Sequence, residues 1–250
     1  MLNRSSRKQS TPEGAAGYRA YVIGDIHGRL DLLQDLLAKI HAELQRRPST
    51  KTLLVFVGDL IDRGPCSAQV VERLRTYKRD GIKTIFLLGN HEEVLLRILG
   101  GDAALIEKWR WFGGSECLQS YGVDPAQLDQ TSDDEALAIV RGAIPPEHVH
   151  FLESFSDSCR FGDYLFVHAG IRPGVDIEQQ SQADLRWIRD PFLSDESNHG
   201  CVVVHGHTIC SQVEQRPNRI GIDTGAYRSG ILSALALEGT DRWLLDTRDN

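Results

Sequence analysis

Residues 18–28 read Tyr-Arg-Ala-Tyr-Val-Ile-Gly-Asp-Ile-His-Gly, an apolar run that ends in a polar, glycine-rich turn. The same order recurs at residues 52–64, Thr-Leu-Leu-Val-Phe-Val-Gly-Asp-Leu-Ile-Asp-Arg-Gly, and at residues 83–92, Lys-Thr-Ile-Phe-Leu-Leu-Gly-Asn-His-Glu. Short apolar runs rich in β-branched and aromatic residues are typical of buried strands. The three blocks therefore predict three strands, each followed by a polar turn: residues 19–24, 52–58 and 83–89.

Helical patterns separate these strands. Apolar residues recur at helical spacing over residues 30–45, and residues 67–77 show the same period. Strands that alternate with helices are typical of a largely parallel sheet. The carboxyl ends of its strands meet at one edge, where open α/β sheets bind ligands. The three polar turns are therefore expected to lie together.

The middle of the chain predicts further helices that carry little chemistry of their own and that are expected to cap the site: residues 91–99, 103–121 with an interruption at Gly113-Gly114, and 133–141. The second half contains short strand-like segments separated by turns. These predict a second, mixed or antiparallel sheet: residues 164–167, 201–204, 219–222, 231–237 and 243–245.

The chain ends and the bulk composition limit the class of protein. The polar, basic residues 1–17 predict a disordered leader, and residues 18–250 predict a single domain. A net charge of −7 provides no general attraction to nucleic acid or to an anionic membrane, so neither is an expected partner. Five cysteines without a Cys-x-x-Cys pair argue against a disulfide framework and a structural zinc site. They fit a reducing compartment, which predicts a cytoplasmic protein.

The polar residues at the strand ends suit metal binding. Asp25 and His27 are two positions apart, the spacing that places side chains on one face of an extended segment. Oxygen and nitrogen donors of this kind bind manganese, iron or zinc. A pair of such cations allows water to cleave a phosphate ester at neutral pH. Six donors each follow a predicted strand: Asp25, His27, Asp59, Asn90, His168 and His207.

Together, these blocks resemble the metal-dependent serine/threonine phosphoprotein phosphatase family of calcineurin-like metallophosphoesterases, in its small bacterial and phage-type members. The resemblance spans residues 18–245 and includes Trp111-Phe112-Gly113-Gly114 and Ile222-Asp223-Thr224-Gly225-Ala226. It implies an α/β fold, a two-sheet β-sandwich flanked by helices in four αββα layers.

The resemblance also implies two divalent metal ions, usually manganese, with iron and zinc as alternatives. Asp25, His27 and Asp59 would bind the first ion. The second would be bound by Asp59, which bridges the two, together with Asn90, His168 and His207.

The implied reaction is in-line attack of a metal-bridging hydroxide on the phosphoryl group. His91 would protonate the leaving alkoxide, and Asp62 would orient that imidazole and keep it charged. Arg63, Asn90 and Arg189 would bind the phosphoryl oxygens, since a planar guanidinium suits bidentate contact with phosphate.

The presence of Asp62 helps to distinguish between two classes of substrate. Symmetrical dinucleoside-tetraphosphate hydrolases share the other blocks but generally resemble Gly-Asp-x-x-Ala-Arg-Gly here and lack the acidic partner of the histidine. An alkoxide leaving group needs stronger acid assistance than a nucleotide does. The sequence therefore favours a phosphoserine or phosphothreonine protein or peptide, with phosphotyrosine and small esters as further substrates. The tetraphosphate hydrolase is the alternative. A catalytically inactive binding module is disfavoured, because all six predicted ligands are present.

Overall fold

The computed structural model describes residues 11–47 and 51–248 of the 250-residue chain and forms two five-stranded sheets. The strands are β1 (Tyr18–Ile23), β2 (Lys51–Phe56), β3 (Ile82–Phe86), β4 (Ser158–Phe161), β5 (Tyr164–Val167), β6 (Val202–His205), β7 (Glu214–Gln215), β8 (Arg219–Gly221), β9 (Ser233–Glu238) and β10 (Asp241–Asp246).

The helices flank the sheets. Among the described residues, no helix is both long enough and apolar enough to cross a membrane. The helices are α1 (Leu30–Arg46), α2 (Ser67–Arg75), α3 (Asn90–Leu99), α4 (Ile106–Trp109), α5 (Ser115–Ser120), α6 (Asp133–Ala143), α7 (Pro146–Glu153), α8 (Gln182–Trp187) and α9 (Ala226–Ser229). Helices α1 to α6 lie within or close to the predicted helical segments, whereas α7, α8 and α9 were not predicted.

The first sheet has the order β10-β9-β1-β2-β3, with β1, β2 and β3 parallel as predicted. The prediction that residues 231–237 and 243–245 belong to the second sheet is wrong. They form β9 and β10, and β9 pairs antiparallel with β1, so that Ala20 lies opposite Leu237. Alternation along a strand specifies which face is buried but not which strand is its neighbour, and this pairing joins residues more than 200 positions apart.

The second sheet is mixed, as predicted, with the order β4-β5-β6-β8-β7. Its central strands β5, β6 and β8 are parallel, and the edge strands β4 and β7 are antiparallel to their neighbours. Neither edge strand, β4 nor β7, was predicted.

Alternating side chains divide the molecule into layers. Val22 points into an apolar core between the two sheets, where it meets Phe166, whereas its neighbour Ile23 faces α1 and the other helices. Val167 faces the opposite side of the second sheet and packs in a third core with Leu185 of α8. The structure thus has helices outside both sheets, which confirms the predicted two-sheet sandwich.

The predicted leader, residues 1–17, falls only partly on described residues. From position 13 onward the chain is tied to the body: Glu13 O accepts a hydrogen bond of 2.8 Å from Asp163 N, and Gly14 N donates one of 2.8 Å to Gly239 O. Residues 1–10 lie outside the described residues.

Candidate functional site

The turns that follow the strands place their polar residues on strained backbone. Non-glycine residues rarely adopt positive φ, which costs about 1–3 kcal/mol and persists only where the surroundings impose it. Such residues cluster at functional sites. Five of the six non-glycine residues with positive φ in the described chain lie in these turns: His27 (46°), Asp59 (51°), Asp62 (72°), Arg63 (67°) and His207 (61°).

A buried carboxylate holds the second turn in place. Glu92 Oε2 accepts hydrogen bonds from Asp59 N at 2.9 Å and Gly89 N at 3.1 Å, and Oε1 accepts one from Leu60 N at 2.8 Å. These bonds link the start of α3 to the turn after β2. Glu92 was not predicted as a site residue, although an acidic residue at the third position of a helix is a capping signal that could have indicated this role.

Asp59 lies between two groups of histidines. Its Oδ2 is 3.6 Å from His27 Nε2, and its Oδ1 is 3.5 Å from His168 Nε2. The ligand atoms of His27, Asp59 and His91 all lie within 4.8 Å of one another, and so do those of Asp59, His168 and His207. Asp59 is common to both groups, as the predicted bridging role requires.

The imidazoles are oriented to offer lone pairs. His27 Nδ1 lies 2.8 Å from Ile61 O, and His168 Nδ1 lies 2.8 Å from Val57 O, so each Nδ1 carries the proton and donates it. The Nε2 atoms are then acceptors. Burial, together with the neighbouring His91, lowers the pKa of His27, and burial lowers the pKa of His168. Both rings are therefore neutral, the form in which histidine binds metals.

Acceptor atoms converge on Asn90. With its proton on Nδ1, His168 directs an unprotonated Nε2 at Asn90 Oδ1, 2.9 Å away. His207 Nδ1 lies 2.8 Å from the same oxygen, and burial lowers the pKa of His207 to about 3. The lone pairs of His168 Nε2 and Asn90 Oδ1 face one another at this distance and repel unless a cation binds both atoms. The residues present therefore fit a divalent metal ion.

Asp25 also fits a cation. Its Oδ2 accepts a hydrogen bond of 2.9 Å from His207 N, whereas its buried Oδ1 has no hydrogen-bond partner among the described residues. Burial and the nearby Asp223 and Asp59 carboxylates raise the pKa of Asp25 well above its usual value. A bound divalent ion would offset that repulsion. Asp223 was not predicted as a site residue, although it belongs to the Ile222–Ala226 segment, and the structure places its carboxylate near Asp25.

His91 differs from the other imidazoles. Its Nδ1 donates a short hydrogen bond of 2.6 Å to Asp62 Oδ2, which also accepts one of 3.0 Å from Trp109 Nε1. Burial acts to lower the pKa of His91, but the Asp59 and Asp62 carboxylates outweigh it, so the pKa lies above its usual value. The two carboxylates thus favour protonation of His91, whereas burial favours neutral rings at the other sites, which is the distinction between a proton donor and a metal ligand; in this structure His91 Nε2 itself accepts a hydrogen bond from Arg63.

The prediction that the middle stretch carries little chemistry is wrong. Trp109 of α4 anchors Asp62, and Gly113 O accepts a hydrogen bond of 3.0 Å from Arg63 N. Gly113 has a φ of 112°, and a Cβ there would lie 2.5 Å from Arg63 N. The predicted interruption at Gly113-Gly114 is present, and it is the point where the cap contacts the site.

The predicted phosphate-binding residues share one cleft. Arg63, Asn90 and Arg189 line a cavity of about 300 Å³ together with His91. The Arg63 guanidinium lies 4.8 Å above the Tyr227 ring and donates to His27 Nε2 and His91 Nε2, both at 3.1 Å. It therefore occupies a cation's position between two imidazole acceptors.

Two known proteins resemble this chain in sequence, and one solved structure resembles it in fold. The Escherichia coli serine/threonine-protein phosphatase 2 is 29% identical over 223 residues, which cover 85% of this chain and 90% of that protein. The symmetrical bis(5'-nucleosyl)-tetraphosphatase of Nitrosospira multiformis is 31% identical over 187 residues, 75% of this chain and 56% of that protein. A crystal structure assigned provisionally as a diadenosine tetraphosphatase superposes with a TM-score of 0.66 at 23% identity, covering 94% of this chain and 96% of that one.

The relatives differ in the substrates that their names give, which are a serine/threonine phosphoprotein for one and a bis(5'-nucleosyl) tetraphosphate for the other. Residues 18–227 match the family described as calcineurin-like phosphoesterase, a span that runs from β1 to the residue after Ala226 and contains every predicted metal ligand. The chain is therefore a member of the calcineurin-like phosphoesterase family, a phosphoesterase with clustered histidine and aspartate side chains suited to metal binding.

Proposed function

We propose that this protein is a metal-dependent phosphomonoesterase that hydrolyses phosphoserine and phosphothreonine, with phosphotyrosine and small phosphate esters as further substrates. The observation that carries the proposal is the buried Asp62–His91 pair, 2.6 Å apart. A serine or threonine alkoxide is a poor leaving group, and a positioned acid contributes typically 10²–10⁴-fold to such a step. A buried carboxylate that raises the proton affinity of a histidine supplies that acid.

Asp25, His27 and Asp59 would bind one divalent ion, and Asp59, Asn90, His168 and His207 a second. In the first group of close ligand atoms, His91 takes the place predicted for Asp25. We assign Asp25 as the ligand because its Oδ1 has no partner among the described residues, whereas His91 is engaged by Asp62 and Arg63. Manganese is the proposed metal, with iron or zinc as alternatives.

When bound, such a metal pair supplies Lewis acidity toward the phosphoryl oxygens and activates the attacking water. The protein's own residues bind the phosphoryl group and transfer the proton. Arg63 and Arg189 neutralise the phosphoryl charge, and Asn90 lines the same cleft. As Arg63 turns toward the phosphoryl group, it releases His91 Nε2, to which it now donates at 3.1 Å. His91 Nε2 can then carry the proton that passes to the leaving oxygen, while Asp62 holds Nδ1.

Symmetrical dinucleoside-tetraphosphate hydrolysis is the second candidate. The 31% identity to a symmetrical bis(5'-nucleosyl)-tetraphosphatase favours it. The Asp62–His91 pair favours the phosphomonoester, because a nucleotide leaves without strong acid assistance.

We propose that the protein acts in the cytoplasm, since five cysteines without a Cys-x-x-Cys pair suit a reducing compartment.

The test is an assay of metal-stripped protein, with and without added manganese, on a phosphothreonine peptide and on diadenosine tetraphosphate in parallel. We expect manganese-dependent release of inorganic phosphate from the peptide at the higher kcat/KM. Preferential cleavage of the dinucleotide would instead identify the second candidate as the function.

A further inference from the structure

The cleft beside the metal ligands is positively charged in an acidic protein. The chain carries a net charge of −7, yet the cleft is lined by four cations, Arg63, Arg97, Lys108 and Arg189, and by a single carboxylate, Asp59. A cleft with one sign of charge and low-dielectric walls concentrates ligands of the opposite charge. The cleft is therefore suited to a substrate with more than one negative group.

One phosphoryl group does not account for all four cations. Arg63 and Arg189 serve the proposed scissile phosphate, whereas Arg97 is in the last turn of α3 and Lys108 is on α4. Lys108 is exposed and makes no ion pair with any described carboxylate. Arg97 bonds Asp102 at 2.7 Å but keeps 54% of its side chain exposed. Both can accept an additional anion with little rearrangement.

Two exposed aromatic rings line the same cleft. Trp187 is 41% exposed, although its Nε1 donates a hydrogen bond of 3.1 Å to Glu93 Oε2, which fixes the ring at the cleft. Phe112 is 56% exposed, and Lys108 Nζ lies 6.0 Å from the centre of its ring. Large aromatic rings that are ordered but not buried offer contact area at a low entropic cost.

We propose that Arg97 and Lys108, with the rings of Phe112 and Trp187, form an accessory subsite for an acidic residue that flanks the phosphorylated residue of a peptide substrate. The rings contact the peptide, and the cations bind the flanking carboxylate. The assignment rests on the proposed phosphomonoesterase function. A peptide fits because the buried His91–Asp62 acid suits an alkoxide, and successive residues of an extended peptide are about 3.5 Å apart, within reach of a neighbouring subsite.

The test compares phosphothreonine peptides that are identical except for Asp, Asn or Lys at the positions next to the phosphothreonine. The variants are Lys108→Gln and Lys108→Glu in the manganese-loaded enzyme. The matched control is Lys78→Gln, which changes the net charge equally at an exposed position outside the cleft. p-Nitrophenyl phosphate, which has no flanking residue, reports on the catalytic centre alone.

We expect the wild-type enzyme to prefer the Asp peptide over the Asn peptide by about two- to fivefold per charge contact, as for exposed ion pairs. Lys108→Gln should reduce that preference by about the share of one charge contact, because Arg97 remains, and should act through KM with little change in kcat. Lys108→Glu, which adds a repulsive charge, should reverse the preference toward the Lys peptide. A merely structural role would lower the activity on every substrate and would not reverse a preference. Lys78→Gln should behave as the wild type.

Equal cleavage of the three peptides by the wild-type enzyme would overturn the subsite and leave the proposed function intact. A preference that Lys108→Glu leaves unchanged would also overturn it. If p-nitrophenyl phosphate is hydrolysed but no phosphopeptide is, the proposed function itself fails and the peptide subsite fails with it.

Discussion

Replacing Asp62 by Asn removes a buried charge while keeping the size and shape of the side chain. In the protein, Asp62 Oδ2 accepts hydrogen bonds from His91 Nδ1 at 2.6 Å and from Trp109 Nε1 at 3.0 Å. An amide oxygen in the place of Oδ2 can still accept both bonds, so the substitution tests the charge more than the packing. We expect Asp62→Asn to slow hydrolysis of substrates whose leaving group needs a proton.

The magnitude follows from the kind of hydrogen bond that is lost. A bond to a charged group contributes about 1.5–3 kcal/mol and a neutral one about 0.5–1.5 kcal/mol, a difference of about 1–2 kcal/mol. On the kcat of an alkyl phosphate, this corresponds to a loss of roughly five- to thirtyfold. The direction in which the pH dependence of kcat changes also follows from the structure. The Asp59 and Asp62 carboxylates raise the pKa of His91 against burial, so removing one charge lowers it. The basic limb of the kcat profile should then move to lower pH.

The assay measures kcat against pH for the manganese-loaded enzyme on a phosphothreonine peptide and on p-nitrophenyl phosphate, whose phenolate leaves readily. The peptide reaction should show the full loss, and the p-nitrophenyl reaction should show a much smaller one. Asp80→Asn, at an exposed position in a loop, is the matched control. Equal losses on the two substrates, or an unmoved basic limb, would refute the assignment of His91 as the acid that Asp62 holds.

Three further outcomes are expected. Gly113→Ala should lower the free energy of unfolding in urea by about 1–3 kcal/mol and should lower kcat, because the added Cβ would lie 2.5 Å from Arg63 N. The control Gly142→Ala, whose Cβ would meet no atom within 4 Å, should lower neither quantity. Chelation should lower the free energy of unfolding, and manganese at a hundredfold excess over Kd should restore about 2.7 kcal/mol of it, measured as a rise in melting temperature; Asp25→Asn should reduce that gain. Arg63→Lys should lower kcat/KM about tenfold, because Lys cannot make a bidentate contact with phosphate. The control Arg79→Lys, at an exposed position, should leave kcat/KM unchanged. An unchanged kcat/KM in Arg63→Lys would count against phosphate binding by Arg63.

The periodicity of the chain was enough to predict the parallel core of the first sheet and the helices around it. Alternation and helical spacing are local properties, and so are the glycine-rich turns that place Asp25, Asp59 and Asn90 after β1, β2 and β3. Because the carboxyl ends of parallel strands meet at one edge, these residues could be placed together before any coordinates were known. Their roles as metal ligands are still predictions that the metal-binding and activity experiments will decide.

Only the tertiary structure decided which distant segments meet. Strand propensity does not encode a partner, so β9 could not be assigned to β1 from the sequence. Three features of the site join residues that are well separated along the chain. Glu92 supports the second turn, Trp109 donates a hydrogen bond to Asp62, and Lys108 and Trp187 line one cleft. Such contacts form when packing selects one arrangement among many that local propensities allow, and they determine what the predicted ligands can do together.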